Sequence, residues 1–356
     1  MKMDSSQFWL PPGVKWCRLN RGDPLYLLLA PWIALGLLLL RAFVEDGLLA
    51  PMGKWLAISD RSCTTPQLQP KLEKVFKLAK HPSKDLISSL AKEIGWTQYK
   101  VHSWFWRARN HKKVSLLTKF KETGWRFLAY LSLVVYGLWA NLKEPCVWDL
   151  STCYHGYPTT PPTKEVLLYW AFQLAFYCSL LVSHFKDIRR KDFYQMFVHH
   201  ITTLALLTFA YTVNMLQTGM LIALVHDLSD VPLELAKMLH YASYEGLAQA
   251  SFVFFTLMFI LTRLVILPFW LIWSVAFDIP ALLGSFPALY LFTGCLLLLQ
   301  MLHLYWFKLI ATMVWDLMSK KEMKGDTRSD SELSDCNLSS IDSHSNGLQC
   351  ERKKSI

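Results

Sequence analysis

The 356-residue sequence contains none of the short motifs that mark the common soluble enzyme classes. It has no nucleophile elbow, no P-loop and no Rossmann glycine pattern. Its eight cysteines form no CxxC pair and no zinc-type spacing with histidine, which argues against a metal framework. A cleavable signal peptide is also missing, because the apolar run from Leu25 is too long and is followed by charge. We therefore expect this run to be retained as a first membrane span.

Charged residues are scarce, and long apolar runs take their place. Only 18% of the residues are charged and 53% are hydrophobic, and the mean hydropathy is +0.24. A membrane span needs about 20 mostly apolar residues. The sequence therefore predicts an all-α polytopic membrane protein. About seven spans are expected, at Leu25–Phe43, Gly124–Leu142, Glu165–Phe185, Tyr194–Val213, Gly219–Leu235, Ser251–Trp273 and Pro287–Trp315.

The net charge of +10 is concentrated in one segment, which indicates the topology. Between Arg41 and Arg126 there are 17 Lys and Arg against 7 Asp and Glu. Basic loops are retained in the cytosol, so residues 1–43 are expected to be a lumenal N-terminus and first span. The basic loop 186–191 falls on the cytosolic side under the same topology. Cys146 and Cys153 then share a short lumenal loop, where they either pair or remain free thiols.

The polar tail, residues 319–356, is typical of a disordered segment and is expected in the cytosol. Lys353 and Lys354 have the form of a retrieval signal for the endoplasmic reticulum. Ser329 and Ser339 each have an acidic residue three positions on, a spacing that acid-directed kinases read, so the tail is expected to be phosphorylated.

Residues 66–115 predict a small helical domain between the first two spans. Apolar residues recur at helical spacing in three groups: Leu72, Val75, Phe76 and Ala79; Leu86, Leu90 and Ile94; and Val101, Trp104 and Phe105. These core residues resemble those of a homeodomain. A homeodomain reads adenine with an asparagine shortly after its Trp-Phe pair, but Arg107 stands at that position here. We therefore expect a cytosolic homeodomain-like module, either membrane-facing or purely structural, and no nucleic-acid partner.

Ionisable residues cluster inside the fourth and fifth predicted spans. They are His199, His200, His226, Asp227 and Asp230. Such a group at mid-span costs about 2.5–3.5 kcal/mol on insertion scales, so it is usually paired and functional. Counting from a turn near Met215 brings His200 and Asp230 to about the same height, and the spacing predicts that His226, Asp227 and Asp230 share a helix face. His199 and His200 diverge by about 100°, so one of them is expected to face the site.

Other polar residues near these spans are interpreted differently. Glu234 and Lys237 are expected to form an ion pair at the interface rather than to take part in catalysis. His184 and His303 are interpreted as isolated structural residues.

The cluster suits acyl transfer from a thioester to an amine. An imidazole with a carboxylate partner can act as a general base or accept an acyl group, and a second group can stabilise the oxyanion. Histidine and aspartate also bind metals, but the histidine groups of membrane di-iron enzymes are missing, so no metal is expected. Four bases precede the fourth span and are candidates to hold the phosphates of coenzyme A, although the positive-inside rule explains them equally well. They are Lys186, Arg189, Arg190 and Lys191.

The same region resembles the Lag motif of ceramide synthases, a group within the TLC-domain family. The matching stretches are Arg190-Lys191-Asp192-Phe193, His199-His200, Thr218-Gly219, His226-Asp227, Ser229-Asp230, Leu233-Glu234 and Ala236-Lys237-Met238. The resemblance extends from about Phe8 to Lys321 and includes the partial homeodomain. It implies that residues 124–318 form a catalytic TLC-type domain, in which His199, His200, Asp227 and Asp230 are the required residues. One departure is the missing N-terminal sequon before Trp16.

The resemblance also implies a substrate pair and a place in the cell. A fatty acyl-CoA co-substrate would acylate the amine of a sphingoid base, with no bound cofactor, in the membrane of the endoplasmic reticulum. In that family the choice of acyl length is attributed to the loop between the last two spans, here Ser274–Phe286. A non-catalytic lipid sensor or transporter of the same fold is the alternative. The sequence leaves open the acyl length, which histidine reacts, and the oligomeric state, for which a homodimer and a heterodimer are both candidates.

Overall fold

A computed structural model describes residues 5–20, 22–60, 66–110 and 114–320 of the chain. Within these ranges the fold is helical and contains no β-strand. We number the main helices α1 Ser5–Trp9, α2 Leu25–Trp55, α3 Pro70–Leu78, α4 Lys84–Ile94, α5 Gln98–Asn110, α6 Leu116–Asn141, α7 Lys164–His184, α8 Phe193–Thr212, α9 Leu216–Tyr241, α10 Glu245–Leu283 and α11 Pro287–Lys320. The predictions for Ser329, Ser339, Lys353 and Lys354 lie outside the described residues.

Four of the described helices are long and apolar enough to cross a membrane: α2, α7, α10 and α11. Helices α6, α8 and α9 are as long, but polar side chains interrupt their apolar sequences. The protein is therefore a helical membrane protein, and the number of seven spans stays a prediction. Helix α2 presents large apolar side chains outward, with Trp32 72% and Phe43 74% exposed, as a lipid-facing surface requires.

Two predicted boundaries are wrong. The sequence predicts that the first span ends at Phe43, but α2 continues to Trp55. It predicts that the sixth ends at Trp273, with a loop over Ser274–Phe286, but α10 continues to Leu283. Val275 and Ile279 are 5% and 1% exposed, so burial of apolar side chains continues past Trp273 and keeps the chain helical. The helix ends at Gly284, whose φ of +85° suits glycine.

Helix α9 is the centre of the membrane bundle. It packs against α6, α7, α8 and α10, while α2 lies on the outside against α7. A central helix is covered on most sides, so its polar residues must find partners on its neighbours. This position explains why the shortest and most polar of the predicted spans carries the acidic residues of the candidate site.

The segment between α2 and α6 forms three short helices with a core of their own. Leu72 of α3, Leu90 of α4 and Phe105 of α5 are 0%, 6% and 1% exposed and belong to one apolar cluster. The Ser83 side chain accepts a hydrogen bond from the Leu86 amide and caps α4. Gly95 ends α4 with a φ of +72°. Arg107 is exposed on α5.

The loop between α6 and α7 is closed by a disulfide between Cys146 and Cys153, which resolves the open pairing of these residues. Directly after it, the Tyr154 hydroxyl accepts a hydrogen bond from Thr218 at 3.1 Å, at the start of α9. The loop is thereby fixed to the end of the central helix.

Candidate active site

His199 and His200 lie side by side on α8, with ring centroids 5.7 Å apart. They are 8% and 5% exposed. Tyr177 of α7 packs against both, with its ring 6.3 Å from His199 and 6.1 Å from His200. Trp306 of α11 lies 5.5 Å from the His199 ring. Three helices therefore hold the two imidazoles in place.

Both histidines line one cavity of about 200 Å³, which we call the polar cavity. Its wall also carries five carboxyl side chains and four cationic side chains, namely Glu122, Asp187, Asp192, Asp230 and Glu234, and Arg126, Arg190, Lys237 and Arg263. The expectation that one histidine alone faces the site is wrong, because the cavity wraps around the roughly 100° that separates consecutive residues of a helix. His199 and His200 of α8 and Asp230 of α9 thus meet in one space.

Asp230 borders the polar cavity and is paired with an arginine that the sequence reasoning missed. Arg263 of α10 donates a hydrogen bond from Nη2 to Asp230 Oδ1 at 2.7 Å, and another from the same atom to the His226 carbonyl oxygen at 2.9 Å. The Arg263 side chain is 8% exposed. Its signal was present in the sequence, since a lone arginine inside the apolar sixth span is a functional candidate by default.

Asp227 lies in a different environment. It is 0% exposed and accepts a hydrogen bond from Gln173 of α7. Gln173 Nε2 also donates to the Tyr169 hydroxyl at 2.8 Å. Asp227 lines neither of the two larger cavities found in the described part of the chain. Its side chain therefore joins α9 to α7 and, unlike Asp230, with which it was expected to share a helix face, does not border the polar cavity.

His226 borders a second, apolar cavity of about 80 Å³. Its Nδ1 lies 2.6 Å from the Ile222 carbonyl oxygen, one turn earlier in α9. The apolar cavity also contains Tyr177, Val275 and Ile279 in its lining. His226 and Asp230 share a face of α9, as expected, but they lie about 6 Å apart along the axis and so border different cavities. Tyr177, which touches both α8 histidines, links the two spaces.

His184 and His303 are not isolated, so that expectation is wrong. The His184 ring lies 5.7 Å from that of His200, and His184 lines the polar cavity. The His303 ring lies 4.9 Å from that of His226, and His303 is fully buried. His184 and His303 are 16 and 77 residues away from these partners in the sequence. The sequence does not predict the contacts, because they arise from the packing of α7 and α11.

Glu234 and Lys237 form the expected ion pair, with Lys237 Nζ 2.7 Å from Glu234 Oε1. The pair is buried, with side chains 6% and 9% exposed, and Arg126 Nε lies 3.5 Å from the same oxygen. A buried pair needs good geometry and extra partners to offset its desolvation. This one forms part of the polar cavity wall.

The four bases before α8 are placed differently from one another. Arg190 lines the polar cavity and lies 3.7 Å from Glu122. Arg189 lies over the Phe193 ring at 4.5 Å, on the outside. Lys186 and Lys191 are exposed. The structure therefore brings one of the four to the cavity wall and leaves the other three exposed on the surface.

The loop that carries these bases is fixed by Asp187. Arg41 of α2 donates to both Asp187 oxygens, at 2.7 Å and 3.2 Å. Burial and the nearby Glu122 raise the pKa of Asp187 above its ordinary value, and the Arg41 contact opposes this shift. The guanidinium thus offsets part of the effect of burial and of the second acid on this carboxyl. In the described ranges no three metal-binding side chains converge.

Comparison with known proteins gives two family matches. Residues 119–312 match the TLC domain model, and residues 59–114 match the homeodomain model. Human ceramide synthase 5 is 38% identical over 93% of this chain and 86% of its own length. Human ceramide synthase 4 is 38% identical over 92% of this chain and 85% of its own length. A ceramide synthase from Arabidopsis thaliana is 35% identical over 64% of this chain and 77% of its own length.

Proposed function

This chain belongs to the ceramide synthase family of TLC-domain proteins, and on that basis we propose that it transfers a fatty acyl group from acyl-CoA to the amine of a sphingoid base. The observation that carries the proposal is the polar cavity, in which His199, His200 and Asp230 come together beside an apolar cavity. A polar reaction centre next to an apolar space suits substrates with a reactive head and a long alkyl tail.

The reaction breaks the thioester C–S bond and forms an amide C–N bond. If the sphingoid amine arrives as an ammonium, it loses two protons: one goes to the departing thiolate and one leaves the site. His199 and His200 are the proposed carriers of these protons, and either ring is a candidate to hold the acyl group in between. Asp230 is proposed as the carboxylate that holds the amine, and Tyr177, in contact with both rings, as a hydroxyl for the oxyanion.

The acyl-CoA is proposed to reach the polar cavity at the loop before α8. Arg190 in the wall and the exposed Lys186, Arg189 and Lys191 offer cations for the coenzyme A phosphates. The acyl chain then extends into the apolar cavity. Val275 and Ile279, in the segment that the sequence predicts as a loop, belong to its wall.

The proposed setting is the endoplasmic reticulum membrane, with seven spans, a lumenal N-terminus and a cytosolic loop before α8. The disulfide between Cys146 and Cys153 supports this orientation, because such bonds form on the oxidising lumenal side. The homeodomain-like helices then lie in the cytosol. Arg107 occupies their surface where a DNA-reading asparagine would be, so nucleic acid is not proposed as a partner.

The test is amide formation by the full chain. Membranes that contain the protein are supplied with sphinganine and acyl-CoAs of several lengths, and (dihydro)ceramide is measured by mass spectrometry. We expect product from the wild type and none from His199→Ala or Asp230→Ala. Product from both variants at the wild-type rate contradicts the site assignment. No product from well-folded wild type at any acyl length favours a non-catalytic lipid sensor or transporter.

A further inference from the structure

The two aspartates of α9 are three residues apart, yet their partners differ in kind. Asp230 is bound to a guanidinium, and its side chain is 17% exposed in the wall of the polar cavity. Asp227 is bound to an amide and is 0% exposed, outside both cavities. A shared sequence motif therefore contains two carboxyl groups with different chemical surroundings.

Arg263 fixes one oxygen of Asp230 and leaves the other available. Nη2 of Arg263 reaches Oδ1, and no hydrogen bond from the described residues reaches Oδ2. Arg263 itself lies where α10 widens into i→i+5 turns, from Ile260 to Ile272, a geometry that is common at functional sites. A carboxylate with a neutralising cation on one side and open space on the other can receive a second cation, such as an ammonium.

Asp227 has no such opening. Gln173 Nε2 binds its Oδ2, while Asp227 Oδ1 and Gln173 Oε1 are both buried without a hydrogen-bond partner among the described residues. No arginine or lysine forms an ion pair with it within these ranges. An asparagine side chain at position 227 would have both a donor and an acceptor and would fit this environment, since it can form a reciprocal amide pair with Gln173.

We propose that the two aspartates have separate roles: Asp230, held by Arg263, binds the ammonium of the sphingoid base, while Asp227, held by Gln173, is a positioning residue that fixes α9 against α7. Arg263 is likewise a positioning residue, since it acts through Asp230. The assignment rests on the proposed function, because it names the group that recognises one of the two proposed substrates.

The test compares a cationic with a neutral ligand of the same shape. N,N-dimethylsphinganine keeps the ammonium but cannot form an amide, and the analogue with a 2-hydroxyl group in place of the amine is neutral. Each competes against a photoreactive sphingoid base in membranes that contain the full chain, so variants without activity can also be measured. The readout is the ratio of the two binding constants, which does not depend on the amount of folded protein.

We expect the wild type to bind the cationic ligand at least about tenfold more tightly than the neutral one, because the ion pair with Asp230 is largely shielded from water. Asp230→Asn and Arg263→Gln should bring the ratio close to one, because the first removes the carboxylate and the second leaves a largely buried carboxyl without its cation, so that it takes up a proton. Asp227→Asn should keep the preference, since an asparagine replaces the hydrogen bond with Gln173 and leaves Asp230 and Arg263 in place. Arg263→Lys should recover part of the preference, because it restores the charge without the planar geometry of guanidinium.

Arg41→Gln is the matched control. Arg41 is a buried arginine at 2.6 Å from Glu45 and 2.7 Å from Asp187, with a side chain 14% exposed, away from Asp230. Its loss should lower the stability and leave the ratio unchanged. A ratio near one in Asp227→Asn, or a wild-type ratio in Asp230→Asn or Arg263→Gln, overturns the assignment. If these ratios hold but wild-type membranes form no amide, the proposed function fails instead, and the sites are for binding alone.

Discussion

At the scale of single residues, three neighbouring ionisable residues of α9 have different surroundings, and these surroundings indicate different roles. Within five positions of α9, His226 borders the apolar cavity, Asp227 binds Gln173 between helices, and Asp230 borders the polar cavity. The sequence grouped these three as one cluster because helical spacing places them close together. It could not assign their partners, since those come from α7 and α10, about 50 residues before and 30 residues after them in the chain.

Gly219 gives a prediction about packing beside the apolar cavity. A methyl group added there would lie 2.7 Å from Cζ2 of Trp170, a ring that is held by a hydrogen bond to the Leu216 carbonyl oxygen. We expect Gly219→Ala to destabilise the protein by about 1–3 kcal/mol, because the indole must move. Thermal unfolding in detergent measures this. Gly36→Ala is the control, since nothing lies within 4 Å there and alanine favours the helix; equal melting temperatures contradict the prediction.

Trp306 gives a prediction about the support of His199. Its Nε1 donates to Asp192 Oδ2 at 3.1 Å, just before α8, while its ring packs on His199. Trp306→Phe keeps an aromatic ring but removes the indole N–H and its hydrogen bond, so we expect a stability loss of about 1.5–3 kcal/mol together with a lower kcat. Unfolding in detergent and the amide assay measure the two effects. Trp148→Phe, on a side chain that is 77% exposed, should change neither. If Trp306→Phe changed neither the stability nor kcat, the hydrogen bond to Asp192 would not be what positions α8.

At the scale of the element, helix ends were harder to predict than helices. The sequence indicated α10 correctly but ended it ten residues early, because the polar Ser274 and Asp278 look like the start of a loop. In the structure Ser274 is buried and faces Tyr154, with the hydroxyl groups 3.4 Å apart. Tyr154, in the loop between α6 and α7, thus provides a hydrogen-bond partner for Ser274, a side chain that the sequence alone predicts to be exposed to water.

The disulfide loop gives a prediction for that element. Opening the bond between Cys146 and Cys153 frees a loop of eight residues, which chain-entropy estimates equate to about 2–3 kcal/mol. We expect the double variant Cys146→Ser, Cys153→Ser to melt at a lower temperature, and a reducing agent to lower the melting temperature of the wild type equally. Cys17→Ser is the control, since Cys17 is a free, exposed thiol. Insensitivity of the wild type to reductant contradicts this account.

The homeodomain-like helices give a second prediction at this scale. Phe105 is 1% exposed in their separate core, so Phe105→Ala should cost about 3–5 kcal/mol there. Because that core shares no residue with the bundle around α9, faster amide hydrogen exchange should appear in residues 70–110 and not in α9. Arg107→Ala, at an exposed position, should change exchange in neither region. Equal exchange in both variants would show that this core is not cooperative.

At the scale of the whole molecule, the charge pattern predicts the orientation in the membrane. Asp149→Asn creates a glycosylation sequon with Leu150 and Ser151 in the exposed part of the disulfide loop, and the new amide can keep the cap on Ser151. We expect this variant to acquire an N-linked glycan, seen as a mass increase that a glycosidase removes, because the loop is predicted to be lumenal.

The control for this prediction places a sequon on the opposite side of the membrane. Leu86→Asn creates one with Ile87 and Ser88 in the homeodomain-like helices, which are predicted to be cytosolic. This variant should stay unmodified, because glycosylation takes place in the lumen. A glycan on Leu86→Asn and none on Asp149→Asn would contradict the topology.

By itself, the sequence determined that this is a helical membrane protein, that α8 and α9 carry a cluster of histidines and aspartates, and that it belongs to the ceramide synthase family. Apolar periodicity and ionisable residues within apolar runs are local features, so they can be read along the chain. Only the tertiary structure decided which of these residues share a cavity, that Arg263 binds Asp230 while Gln173 binds Asp227, and that His184 and His303 join the cluster. Those facts depend on how separate helices pack, and a contact between distant positions leaves no periodic pattern in a single sequence.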